Sequence, residues 1–91
     1  MPDAERTIQI VNDTGLHARP CHALVSLALE FESELRIRYA GREVNGKSIL
    51  ELMTLNAAKE ARVEVTARGA DAERLVDAIA QLIARGFDES Y

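Results

Sequence analysis

Apolar and polar positions alternate with a period of two in several stretches of the chain and recur at three- and four-residue spacing in others. Thr7-Ile8-Gln9-Ile10-Val11 is β-branched and roughly alternating, and predicts a first strand over about residues 5–12. Cys21, Leu24, Val25, Ala28 and Phe31 follow at helical spacing and predict a helix from Ala18 to about Leu29. Glu34-Leu35-Arg36-Ile37-Arg38-Tyr39 alternates without a break, as a strand with one wet face does. Ala40-Gly41-Arg42 signals a tight turn, so a short strand near Glu43-Val44-Asn45 closes a hairpin with it.

A second helix is predicted from Ser48, because Ser48-Ile49-Leu50-Glu51 reads as a capping box, with serine as N-cap and glutamate three residues on. Asn56 tolerates the left-handed conformation that ends a helix. Arg62-Val63-Glu64-Val65-Thr66-Ala67 alternates again as a fourth strand, and Gly69 breaks it. Asp71 is placed to cap a last helix whose buried stripe is Ala72, Leu75, Val76, Ile79, Ala80 and Ile83, with Gly86 ending it near Arg85. The order βαββαβα, without repeat or linker, describes a single α+β domain over residues 1–91. Four strands with one solvated face and three helices on the other make it an open-faced β-sandwich.

The junction between the first strand and the first helix carries the chemistry. In Asn12-Asp13-Thr14-Gly15-Leu16-His17-Ala18-Arg19-Pro20, Gly15 supplies the turn and Pro20 belongs in the first helical turn, where a missing N–H costs nothing. His17 then falls at or near the N-cap. The amides just after it have no intrahelical partner, and the helix dipole adds about half a positive charge, so the place suits an anion. A positive helix end favours a neutral imidazole with a nucleophilic nitrogen. Were a phosphoryl group transferred to His17, the backbone at Ala18 and Arg19 would hold its oxygens and the Arg19 guanidinium would complete the cradle. A cation in a helix's first turn is electrostatically misplaced, which gives Arg19 a reason beyond stability. His22 lies roughly 140° around the helix and past the free amides, as a surface residue.

Composition narrows the field. A chain of 91 residues buries about 60–65% of its unfolded surface and has little room for an internal cavity, so chemistry belongs on its surface. No apolar run is long enough for a membrane span and the N-terminus lacks the regions of a signal peptide, which predicts a soluble cytoplasmic protein without membrane insertion. The one cysteine excludes an internal disulfide and fits a reducing compartment. Net charge of −4 and 4% aromatic residues speak against nucleic acid, although positive charge can still cluster around Arg19 and Lys47. Cys21 reads as a small buried residue. Its alternatives are a thiol activated by the helix end, or a metal site with His17 and His22 that lacks a fourth ligand. No metal or cofactor is expected.

Gly15-Leu16-His17-Ala18-Arg19-Pro20, followed by Leu24-Val25, Ala28 and Phe31 and later by Val44-Asn45-Gly46-Lys47-Ser48-Ile49, resembles the histidine-containing phosphocarrier (HPr) family of the bacterial phosphoenolpyruvate-dependent phosphotransferase system. The resemblance covers nearly the whole chain. It implies an antiparallel sheet in the order 1-4-2-3 and attack on phosphorus through Nδ1 of His17. It further implies a stoichiometric carrier more than a turnover enzyme, taking phosphate from phosphorylated enzyme I and passing it to an enzyme II A-type domain. A monomer is expected.

The second motif adds two expectations. In the family, the position of Ser48 is phosphorylated in many bacteria by a regulatory kinase (HPr kinase/phosphorylase), but Glu51 stands here where kinase-regulated members commonly have glycine. Ile49, Leu50, Leu52, Met53 and Leu55 are more apolar residues than one short helix can bury, so Leu50 and Met53 beside Ile49 should form an exposed patch next to His17, which in the family docks partner enzymes. Asn56 and Glu60 occupy positions where the family commonly has glycine, which predicts a local difference in the turn into the fourth strand. The alternative is a regulator of the nitrogen-related branch, acting by phosphorylation-dependent contact; the tail Gly86-Phe87-Asp88-Glu89 resembles it as well.

Overall fold

The alternating segments form strands because one row of side chains on each can be buried while the other stays in water. In a computed structural model, which describes residues 2–88, β1 (Ala4–Gln9), β2 (Glu34–Tyr39), β3 (Arg42–Asn45) and β4 (Arg62–Arg68) make one sheet in the order β1-β4-β2-β3, every pairing antiparallel. Three helices, α1 (Ala18–Ala28), α2 (Ile49–Met53) and α3 (Ala72–Ala84), cover one face. Leu35, Ile37, Val63 and Val65 from the sheet meet Leu24, Leu52, Leu75, Ile79 and Ile83 from the helices in a single core. The expected open-faced α+β sandwich and its strand order are both present.

On the uncovered face, register decides the polar contacts. Arg38 stands directly opposite Glu43 on β3 and Glu64 on β4, and its guanidinium reaches their carboxylates at 3.2 and 3.7 Å. Such exposed cross-strand pairs add little stability each but disfavour a shifted register.

Several boundaries and caps depart from the sequence pattern. β1 ends at Gln9, short of residue 12, because the chain then turns: the Ile10 carbonyl accepts the Glu60 N–H at 2.7 Å and Asn12 is buried in the loop. The β2–β3 turn is closed by two residues, Ala40 (φ 55°) and Gly41 (φ 80°), and the partner strand starts at Arg42. Helix α2 stops at Met53, and the chain turns through Asn56 in the left-handed conformation (φ 56°). The capping box is half made. Ser48 Oγ accepts the Glu51 N–H at 3.2 Å, but the Glu51 carboxylate accepts the Asn45 N–H at 3.0 Å in place of that of Ser48, whose own N–H donates to the Asn45 carbonyl.

Asp71 sits at the N-cap position of α3, yet its side chain does not cap the helix. The carboxylate instead accepts bonds from the Glu32 N–H, the Ser33 N–H and the Ser33 hydroxyl, fastening the connection between α1 and β2. In α3, Leu82 is buried with the stripe and Ala80 is only half-buried. After Gly86 (φ 67°) the chain adds a single turn, Gly86–Asp88, that places Phe87 in the core. Glu89 lies outside the described residues.

Candidate functional site

The loop from residue 10 to residue 17 is held from below by the segment that leads into β4. Leu16 is buried, and its N–H donates to the Ala57 carbonyl at 2.8 Å. Gly15 has φ 65°, and a Cβ there would stand 2.5 Å from the Ala57 oxygen and 2.8 Å from the Ala58 Cα, so only glycine fits. The buried Asn12 amide donates to the Gly15 carbonyl at 2.9 Å and to Thr14 Oγ1 at 3.1 Å, bracing the turn from inside. Periodicity and motif spacing give Asn12 no role, although a short polar side chain just ahead of a turn is the recognised signal for such a brace. Across the outside of the loop, Lys59 Nζ contacts Asp13 at 2.8 Å. That hydrogen bond and its charge hold the Asp13 carboxyl below its ordinary value and the Lys59 ammonium above its own.

Glu60 takes part in the same support. It adopts φ 77°, a left-handed conformation that a residue with a Cβ disfavours. In that conformation its N–H donates to the Ile10 carbonyl at 2.7 Å.

Held this way, His17 is the N-cap residue of α1, in extended backbone (φ −99°, ψ −174°), with an exposed side chain that makes no capping bond. Its carbonyl accepts the first intrahelical bond, from Cys21 at 2.9 Å, and Pro20 sits buried at the third helical position. Among the described residues, the amides of Ala18 and Arg19 meet no acceptor, and the exposed Arg19 side chain enters no ion pair. One accessible imidazole, two free amides at a positive helix end and one uncommitted guanidinium therefore share a small exposed site over residues 17–19. It can hold a tetrahedral anion by its oxygens while leaving the fourth substituent at the ring.

The other candidates separate. Cys21 is fully buried, and burial pushes its thiol up to about 11, so it stays protonated and the activated-thiol alternative falls. His17 and His22 are exposed while Cys21 faces the core, and among the described residues no group of three or more His, Cys, Asp or Glu side chains could hold a metal. Lys47 does not join Arg19. Its ammonium donates to the Phe31 carbonyl at 2.7 Å, past the C-terminal end of α1, and an eleven-residue helix separates the two by about 16 Å. There it neutralises the negative helix end.

The same Lys47 contact starts α2 at the C-terminal end of α1, and the Leu16–Ala57 bond brings the chain back to the N-terminal end, so α2 runs antiparallel along α1. Leu50 is 80% exposed and Met53 39%, while Ile49 is half-buried and Leu52 and Leu55 face the core. The exposed apolar surface begins at the far end of α1 with Leu50 and approaches the His17 end through Met53. Ser48, half-buried, caps that helix with Glu51 in its first turn.

The profile of the PTS-HPr family, described as the PTS HPr component phosphorylation site, matches residues 4–85. The chain belongs to the HPr family. HPr-C-His from Thermoanaerobacter tengcongensis is 38% identical, with 97% of this chain and 99% of that one covered and a TM-score of 0.92. HPr from Bacillus anthracis str. Ames is 31% identical, covers 88% and 95% of the two chains and gives 0.85. The Thermoanaerobacter HPr solved as a dimer, 38% identical, covers 94% and 99% and gives 0.77. The chain is thus an HPr phosphocarrier of the phosphotransferase system by family and fold. Among the described residues no helix is long and apolar enough to cross a membrane.

Proposed function

We propose that this HPr takes a phosphoryl group from phosphorylated enzyme I on His17 and passes it to an enzyme II A-type domain. The observation that carries this reading is the exposed, uncapped His17 side chain beside the free amides of Ala18 and Arg19. The imidazole nitrogen attacks phosphorus, the new P–N bond forms as the donor's breaks, and the three phosphoryl oxygens turn towards the two amides and the Arg19 guanidinium. Charge-assisted bonds to all three stabilise both the charge in flight and the phosphohistidine. Because residues 17–19 are exposed, the same group stays accessible to the next acceptor, as a relay requires. The Ile49, Leu50 and Met53 surface is the docking face for both partners.

Ser48 is the candidate for regulatory phosphorylation by HPr kinase/phosphorylase. A phosphate on its Oγ would keep the helix-end amide of Glu51 as donor but meet the Glu51 carboxylate at close range, which disfavours the modified form relative to a sequence with glycine there. Mass analysis after incubation with the kinase decides it.

Incubation with enzyme I and labelled phosphoenolpyruvate tests the carrier reading. Wild type is expected to take up acid-labile label and His17→Ala none. Label retained by the folded variant rejects His17 as the acceptor.

A further inference from the structure

Helix α2 carries the most exposed large hydrophobic side chain among the described residues, Leu50, yet the helix is only five residues long and could not hold its shape alone. Its N-terminal end is fastened by Ser48 and by the Glu51 carboxylate on the Asn45 N–H. Its C-terminal end has no basic residue in the last turn and stops on Thr54. Helix carbonyls there lack intrahelical partners, and the negative dipole end calls for a cation.

The cation comes from across the hairpin. Arg42, the first residue of β3, donates one guanidinium nitrogen to the Thr54 carbonyl at 2.7 Å and the other to Thr54 Oγ1 at 3.1 Å. Thr54 Oγ1 in turn donates to the Glu51 carbonyl at 2.6 Å. Arg42 is exposed and stands outside the core, so the bidentate grip acts on the pose of α2. Together with Glu51 on Asn45, it ties the helix to the edge strand at both ends. The side of α2 that bears Leu50 and Met53 is thereby left facing outward.

We propose that Arg42 is a positioning residue for the docking face: it clips the C-terminus of α2 to β3 and so presents Leu50 and Met53 to the phosphodonor enzyme in a fixed pose. This rests on the carrier reading of the same protein. Loss of the clip lets the helix end fray, and the partner must order it on binding, which costs affinity and leaves the chemistry at His17 untouched.

Steady-state transfer from enzyme I, with amide hydrogen exchange of residues 49–54 measured in parallel, tests it. Arg42→Met is expected to raise the KM for this HPr roughly three- to tenfold, the range of one typical net hydrogen bond at an exposed position, with kcat unchanged. Exchange should quicken in α2 and not in α1 or α3. Arg42→Lys, which keeps the charge but not the fork, should recover part of the KM. Combining Arg42→Met with Leu50→Glu should give less than the product of the two single effects, because both act through one surface. An unchanged KM, a fall in kcat that tracks global unfolding, or a strictly multiplicative double variant overturns the proposal. Wild type that takes no label from enzyme I rejects the carrier reading instead. In that case the exchange measurement still decides the clip: quickening confined to α2 supports it, and unchanged exchange overturns it.

Discussion

Single residues in this HPr are placed against their own conformational or electrostatic preference around the start of α1. Arg19 stands at the positive end of α1 with an exposed guanidinium and no ion pair among the described residues. Because it supports no packing, Arg19→Ala should unfold within about 2 °C of wild type while phosphoryl transfer slows roughly 10- to 100-fold, the scale of removing one charge-assisted hydrogen bond from developing charge. Transfer kinetics beside a thermal melt separate the two effects. Glu60 is the converse case, a residue whose left-handed φ of 77° serves the loop below His17. Glycine removes about 1–2 kcal/mol of steric cost but adds unfolded-state entropy of about 0.5–1 kcal/mol, so Glu60→Gly should stabilise by about 0.5–1 kcal/mol. Calorimetry should find Tm raised by about 2–6 °C. The presence of a turn here was legible from Asn56 and the strand that follows. That Glu60 would accept the strain was not, because the compensating Glu60–Ile10 bond joins segments fifty residues apart.

At the scale of elements, α2 has one face in the core and one in water. Leu52 points into the core and Leu50 out of it, so the two leucines of one short helix stand in opposite surroundings. Leu50→Glu should leave Tm within about 2 °C, as exposed substitutions generally do, and weaken transfer from enzyme I roughly tenfold or more by placing a charge in an apolar contact. Kinetics unchanged from wild type would remove the docking face. The excess of apolar residues in this helix was readable from composition alone. Their direction was not, since α2 is too short to show a full helical period and its run along α1 is set by Lys47 at one end and Ala57 at the other. For the same reason the patch reaches towards His17 through Met53 and does not surround it.

Across the whole molecule, one carboxylate ties distant parts together. Asp71, at the start of α3, binds the Ser33 hydroxyl and the amides of Glu32 and Ser33, and these bonds, the hydroxyl first, pull its carboxyl down to about 2 against the opposing effect of burial. The folded value lies below the ordinary one of 3.8, so the stabilisation is complete above that value and disappears as the pH falls through about 2. Asp71→Asn should therefore melt a few degrees below wild type at pH 7, and the difference should shrink towards zero near pH 2. Melting curves across that range check the sign. A gap that persists in acid would mean that the bonds depend on shape and not on charge.

The local order of this protein is written in its sequence. The two-residue alternation of β2 and β4, the helical stripes of α1 and α3, the turn at Ala40-Gly41 and the strand-to-helix junction at His17 all follow from which residues can face water, which can take positive φ and which N–H groups a helix start leaves free. Those are properties of near neighbours. Where the polar side chains spend their hydrogen bonds was decided by the tertiary structure: Asp71 on Ser33, Glu51 on Asn45, Lys47 on Phe31 and Arg42 on Thr54. Each had a local partner that the pattern favoured or an open choice. The chosen partner won because folding had already brought it within reach, so that the long-range bond satisfied two segments for the entropy of ordering one side chain.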